Sequence, residues 1–217
     1  MNTLDQEKLV STHTDLKSRW GGILENPYLQ KLQRHCLDGY KVTGLKQILE
    51  PFSFKNVLDI CCGMGEYSLL KKGRYVGLDN SAQYVLFAKS QYPDSNFLRG
   101  DALNLPFKDN SFDATTFISA SHHFPTIDFM NVIREMVRVS RRYIIIDDSK
   151  KSYHHNPVRS FFYGLDRGTE FRKFGEVEAI LAQFKNIDII LKTQRKTFPG
   201  IHLHATFVAE VKKGEQC

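Results

Sequence analysis

Val57-Leu58-Asp59-Ile60-Cys61-Cys62-Gly63-Met64-Gly65-Glu66-Tyr67-Ser68 is the stretch that decides the fold. An apolar run ends in an acid, a tight glycine turn follows, and a helix start comes next. That is how a buried parallel strand hands over to a helix at a nucleotide-type site. Gly63 and Gly65 permit a sharp bend and a close ligand approach. A second apolar run, Tyr75-Val76-Gly77-Leu78, is closed by Asp79, about 20 residues on, the spacing of a ribose-binding carboxylate in a βαβ unit. An adenosine-bearing cofactor on an α/β sheet is the expectation.

The rest of the chain extends that rhythm. Glu66 to Lys72 reads as the first crossover helix, and Ser81 as the cap of a second that runs to Ser90. Asn96 to Arg99 is a short third strand ending at Gly100-Asp101. A polar loop with Pro106 and Asp109-Asn110 replaces a full helix. Phe112 to Ile118 is the fourth strand. Thr126 to Val139 has helical spacing, and Tyr143 to Ile146 is a fifth strand ending in Asp147-Asp148. Gly175 to Phe184 reads as a helix. Asn186 to Leu191 and His202 to Val211 read as two last strands joined through Pro199-Gly200, a turn that favours a hairpin and an antiparallel final strand. The expected fold class is α/β: a Rossmann-like, seven-stranded, mostly parallel sheet with an antiparallel last strand and helices on both faces. Residues 1–52 are expected to form an N-terminal helical cap. Pro27 is placed at a helix start and Pro51 at a helix stop, and Trp20, Tyr28 and Tyr40 are candidate pocket walls. Residues 53–217 form the binding domain, with 150–174 as a lid-like insertion, and the whole is one structural domain.

The bulk numbers exclude several classes. A chain of 217 residues with ordinary apolar content can bury a full core. Its longest apolar runs fall far short of the ~20 residues that span a bilayer, and no leader pattern opens it. Cys36, Cys61, Cys62 and Cys217 show neither a disulfide framework nor metal-ligand spacing, so a reducing cytoplasmic setting and no metal are expected. The formal charge of +6 permits an acidic substrate or RNA without demanding either.

Taken in order and spacing, the motifs resemble a class I S-adenosylmethionine-dependent methyltransferase, over about Lys55 to Asp148. The text closest to the small-molecule, quinone-biosynthesis-like branch is the opening stretch through Gly65, then Val76-Gly77-Leu78-Asp79-Asn80-Ser81 and Arg99-Gly100-Asp101-Ala102. Leu105-Pro106-Phe107-Lys108-Asp109-Asn110-Ser111-Phe112-Asp113 and Ile118-Ser119-Ala120-Ser121-His122-His123 complete it. The resemblance implies S-adenosyl-L-methionine as cofactor. Asp59, acting indirectly, and the turn Cys61, Cys62, Gly63 and Gly65 would face its methionine part. Asp79 would accept from the ribose hydroxyls, Asn80 would lie against the adenine, Asp101 would accept from the adenine amino group beside the Ala102 backbone, and Ser119 would touch the methionine end. Such families often carry glycine where Cys61 stands. Cys61 does not read as a nucleophile, because no activating base is visible beside it.

Each carboxylate has a plainer alternative. Asp59 can cap a turn, Asp79-Asn80-Ser81 is also a helix N-cap cluster, and Asp101 can be a turn acid. Methyl transfer asks the protein mainly to position and dry the partners, so no triad is expected of it. His123 and His122, just past the fourth strand, are the candidate catalytic pair, as an orienting group or proton acceptor, against a purely structural turn role. His202 and His204 alternate on the last strand, without an acid or cysteine spacing that points to metal. The lid-like segment, with Arg159, Arg167 and Arg172 among aromatics, suits an anionic or aromatic small-molecule acceptor. Its alternatives are an RNA-facing patch or simple packing on the sheet edge. The rival functions are an RNA or protein methyltransferase, a non-catalytic S-adenosylmethionine-binding protein and, last, a nicotinamide-dependent oxidoreductase. The last would want a third glycine where Ser68 stands.

Overall fold

The computed structural model describes residues 41–70, 73–149, 170–196 and 203–212. The expected cap before residue 41, most of the lid-like insertion with Arg159 and Arg167, and the Pro199-Gly200 turn lie outside the described residues.

Seven strands are present: β1 (Asn56–Ile60), β2 (Arg74–Asp79), β3 (Asn96–Arg99), β4 (Phe112–Ile118), β5 (Ser140–Ser149), β6 (Ile187–Lys196) and β7 (Leu203–Val211). They form one sheet in the order β3-β2-β1-β4-β5-β7-β6. β1 pairs in parallel with both β2 and β4, β2 with β3, and β4 with β5. β7 is inserted antiparallel between β5 and β6. The chain therefore winds outward from β1 in both directions. The carboxyl ends of β1 and β4 frame the crevice where such sheets bind ligands.

Four α-helices are described: α1 (Lys41–Leu49), α2 (Ala82–Gln91), α3 (Thr126–Val139) and α4 (Phe174–Leu181). The run Ile144-Ile145-Ile146 shows why both faces need cover, since alternate side chains on a strand point to opposite sides. Ile144 and Ile146 join Phe129, Ile133 and Met136 of α3 and Val177 and Ile180 of α4. Ile145 joins Leu45 and Leu49 of α1 with Val57 and Val208. Each such side chain contributes roughly 1.5–3 kcal/mol by leaving water, and α3 presents Phe129, Val132, Ile133 and Met136 as one continuous apolar stripe.

Three expectations are corrected. Where an α-helix was expected from Glu66 to Lys72, the described part, Glu66–Leu70, is a 3-10 turn. The return to β2 is pinned, because Arg74 N–H donates to Lys55 O at 2.6 Å and a Cβ on Gly73 would lie 2.4 Å from that carbonyl oxygen. A full crossover helix does not fit in so few residues. β5 extends well beyond Tyr143 to Ile146, because Asp147, Asp148 and Ser149 continue the pairing opposite Thr206, Ala205 and His204. β6 runs on to Lys196 with every second residue exposed, a charged edge that discourages further strand pairing.

Candidate functional site

The glycine turn after β1 is built from backbone strain and one acid. Cys61, Gly63 and Gly65 all take positive φ, at 57°, 52° and 81°. Glycine tolerates this; for the Cys61 side chain it costs about 1–2 kcal/mol. Gly63 N–H donates to Asp79 Oδ2 at 2.8 Å, which ties the turn to the tip of β2. Asp79 Oδ1 accepts from Ser81 N–H at 2.9 Å, and Ser81 caps α2 by accepting from Tyr84 N–H. Two backbone bonds fix the Asp79 carboxylate while a carboxylate offers about four acceptor positions, so the group is aimed and still has capacity. The Gly65 requirement differs from the expectation of ligand clearance: a Cβ there would meet the Phe97 ring at 2.7 Å.

The other candidates around the turn divide between facing the crevice and supporting it. Asp59 is buried within β1, accepting from Tyr75 Oη at 2.5 Å and Thr116 Oγ1 at 2.7 Å. Burial pushes its carboxyl up to about 6; the bonds from Thr116 and Tyr75 oppose that rise, and the charge of Asp79 adds to it. Its part is to lock β1 to β2 and β4, consistent with an indirect role. Cys62 packs into the cluster of Tyr75, Val85, Ala88 and Phe97, so only its backbone belongs to the turn. Asn80 is exposed beside it, its carbonyl held by Arg99 Nε at 3.0 Å. Asp101 is exposed past β3, where Oδ1 accepts from Leu103 N–H at 2.9 Å, so the turn role and a ligand role coexist. Ala102 is buried beneath it.

The Cys61 thiol is pushed up by burial and then by Asp79, Asp59 and Asp101 together. Burial and nearby carboxylate charge together make this thiol unsuited to a thiolate role. Ser119, at the tip of β4, also takes a positive φ of 52° and is held by its N–H on Asp147 O at 2.7 Å. Its buried Oγ has no hydrogen-bond partner among the described residues. Strain and an unsatisfied hydroxyl at a strand tip are features of binding sites.

Beyond Ser119, the histidine pair splits. His122 is buried, with Nδ1 2.7 Å from Asp148 Oδ1, its backbone N–H 3.1 Å from Asp148 Oδ2, and Phe171 stacked on its ring at 4.8 Å. Ser121 Oγ donates to the same carboxylate at 2.5 Å. Burial raises the Asp148 carboxyl, but the charge and bonds of His122 and Ser121 carry it below the usual range. His123 is exposed and rests against His122, ring centroids 4.3 Å apart. Arg172, the described arginine of the basic aromatic segment, holds the whole turn by donating to Ser121 O and Phe124 O, each at 2.7 Å, and is a structural clamp. Sequence reading missed Asp148, Ser121 and Ser149 as partners; the Asp147-Asp148 pair closing an apolar strand was the only signal. Among the described residues, no group of three or more His, Cys, Asp or Glu is placed to hold a metal ion, and no helix is long and apolar enough to cross a membrane.

Residues 57–142 match the family model described as a methyltransferase domain. The chain is 35% identical over 95 residues to a demethylmenaquinone methyltransferase of Listeria welshimeri, an alignment covering 39% of each protein. It is 38% identical over 94 residues to a phthiotriol/phenolphthiotriol dimycocerosates methyltransferase of Mycobacterium tuberculosis, covering 40% of this chain and 34% of that one. The matched region thus spans about two fifths or less of these curated relatives. In structure, the chain resembles magnesium protoporphyrin IX methyltransferase from Synechocystis, solved with bound SAH, with a TM-score of 0.64 at 20% identity over 79% of this chain and 82% of that one. Residues 57–142 thus match a methyltransferase domain, and the strand order is that of a Rossmann-like methyltransferase fold.

Proposed function

We propose that the protein is a methyltransferase that uses S-adenosylmethionine to methylate a small molecule. The observation that carries this is the left-handed turn of Cys61, Gly63 and Gly65 after β1, tied by Gly63 N–H to the Asp79 carboxylate at the tip of β2, inside the stretch that matches a methyltransferase domain. The Asp79 carboxylate at the turn suits a cationic ligand, and Ser119 Oγ at the tip of the neighbouring β4, with no partner among the described residues, suits a polar ligand tail. Asp79 would hold the ribose hydroxyls, Asn80 and Ala102 would flank the adenine, and Asp101 would accept from its amino group. The backbone of Cys61, Cys62, Gly63 and Gly65 would cradle the methionine part, with Ser119 at its end. When bound, S-adenosylmethionine supplies an electrophilic methyl group, so the chain itself needs only to orient the acceptor and accept its proton.

His123 is the histidine on the exposed side of the turn, where it would orient the acceptor. His122, fixed by Asp148 and Phe171, would hold it in place. The small-molecule class is supported by the names of the relatives, a demethylmenaquinone methyltransferase and a phthiotriol/phenolphthiotriol dimycocerosates methyltransferase. The test is transfer of a labelled methyl group from S-adenosylmethionine in extracts sorted into small molecules, RNA and protein. Label in the small-molecule fraction, lost with Asp79→Ala, is expected. Label only in RNA or protein would replace the acceptor class, and no label anywhere would leave a binding protein.

A further inference from the structure

Asp147, His204 and Ser149 stand outside the roles assigned above, and their arrangement is specific. Ser149 and His204 are directly paired across β5 and β7, and Asp147 lies two residues before Ser149 on the same side of β5. Ser149 Oγ is 3.0 Å from His204 Nε2, and His204 Nδ1 is 2.9 Å from Asp147 Oδ2. A carboxylate can only accept, so Nδ1 carries the hydrogen; in the neutral ring Nε2 is then bare and takes its bond from the Ser149 hydroxyl. Asp147 also receives a two-pronged contact from Arg195, at 2.5 and 3.0 Å, and a bond from Thr206 Oγ1 at 2.5 Å. Burial would raise the Asp147 carboxyl, but the hydrogen bond from His204 and the Arg195 guanidinium hold it below the usual range, so it stays charged and holds the ring.

His204 and Asp147 are fully buried, whereas Ser149 keeps 8% of its surface at the tip of β5, beside Asp148 and past the Ser119 contact with Asp147. A hydroxyl whose proton points into a carboxylate-backed imidazole, with its oxygen at the ligand end of a parallel sheet, has the geometry of an activated serine.

We propose that Ser149 is the proton-accepting residue of the acceptor site, activated by His204 and Asp147 as positioning residues, and that the methyl acceptor carries an ionisable O–H or N–H. This rests on the methyl-transfer function proposed above. The acceptor's proton passes to Ser149 Oγ while the serine proton moves to His204 Nε2. The donor carbon–sulfur bond breaks as the acceptor–carbon bond forms, and the positive charge lost from the sulfonium ends on the imidazolium facing Asp147. The competing role, a rivet joining β5 to β7, needs no activation of the serine.

The experiment treats the full chain with a biotin-linked alkyl fluorophosphonate, without cofactor, and maps the product by peptide mass spectrometry. Attack by Ser149 Oγ on phosphorus expels fluoride, and the serine proton goes to His204. Labelling of Ser149 is expected, slowed by at least about 10²-fold in His204→Gln, the scale of a lost general base. Should His204→Gln fail to fold, the wild-type labelling rate decides: it is expected to rise with pH through a single imidazole ionisation. An unlabelled Ser149, equal labelling in His204→Gln, or a pH-independent rate would overturn the proposal. Calorimetry with SAH on the same preparation separates the two levels. Labelling without SAH binding keeps the activated serine and removes methyl transfer; SAH binding without labelling does the reverse.

Discussion

The two halves of the sheet treat buried carboxylates in opposite ways. On the β1–β2 side, Asp59 is met by neutral hydroxyls, from Tyr75 and Thr116, and its carboxyl is pushed up. On the β5–β7 side, Asp147 and Asp148 are met by Arg195, His204 and His122, and both are driven down. On the function proposed above, the difference follows from what each side would attract. A pocket for a cation keeps its acids unneutralised by protein charges. An acceptor side that handles protons holds its acids permanently ionised, each against an imidazole.

The largest break in this contrast is Asp147→Asn. It leaves the partly buried Arg195 guanidinium and the His204 ring against an amide, and loss of one partner of a buried pair costs up to about 3–5 kcal/mol. A urea unfolding midpoint lowered to that extent is expected; an unchanged midpoint would show that Arg195 finds water instead.

Next comes the pH dependence of stability. Because the folded Asp59 carboxyl lies at about 6 against an ordinary 3.8, the native state binds that proton more tightly than the unfolded chain. Its contribution is therefore most favourable below about pH 4 and is lost as pH rises through about 6, a change of ~3 kcal/mol at 1.36 kcal/mol per pH unit. Asp147 and Asp148 have the opposite sign: their contribution is present above the usual carboxylate range and is lost in acid. Unfolding free energies measured from pH 4 to 8 in Asp59→Asn are expected to lack the downward component that wild type shows. An identical slope would remove Asp59 from the account.

The smallest effect is Cys61→Gly. Relieving a positive φ of 57° at a non-glycine residue is expected to raise stability by about 1 kcal/mol, seen as a higher melting temperature. A lower melting temperature would mean that the thiol packing outweighs the strain.

Much of this was legible in the sequence where one side chain implies its environment. Phe112 to Ile118 and Thr126 to Val139 are read with their observed bounds, because a short bounded strand run and a period-3.6 apolar pattern are local. The turn from Cys61 to Gly65 and the acid at the tip of β2 were readable for the same reason. Asp147 to Ser149 was not, because polar residues continue a strand only if distant partners satisfy them. Arg195 and His204 arrive 48 and 57 residues later. Which of His122 and His123 is buried was equally invisible, since adjacent identical residues differ only through the Asp148 and Phe171 that fold onto one of them.

The most direct test of the cation-seeking turn is isothermal calorimetry of the purified chain with S-adenosylmethionine, SAH and NAD. Saturable binding of the first two, weakened about tenfold or more in Asp79→Asn by loss of charge-assisted bonds, with no binding of NAD, is the expected result. Absence of any S-adenosylmethionine binding, or a preference for NAD, would contradict it.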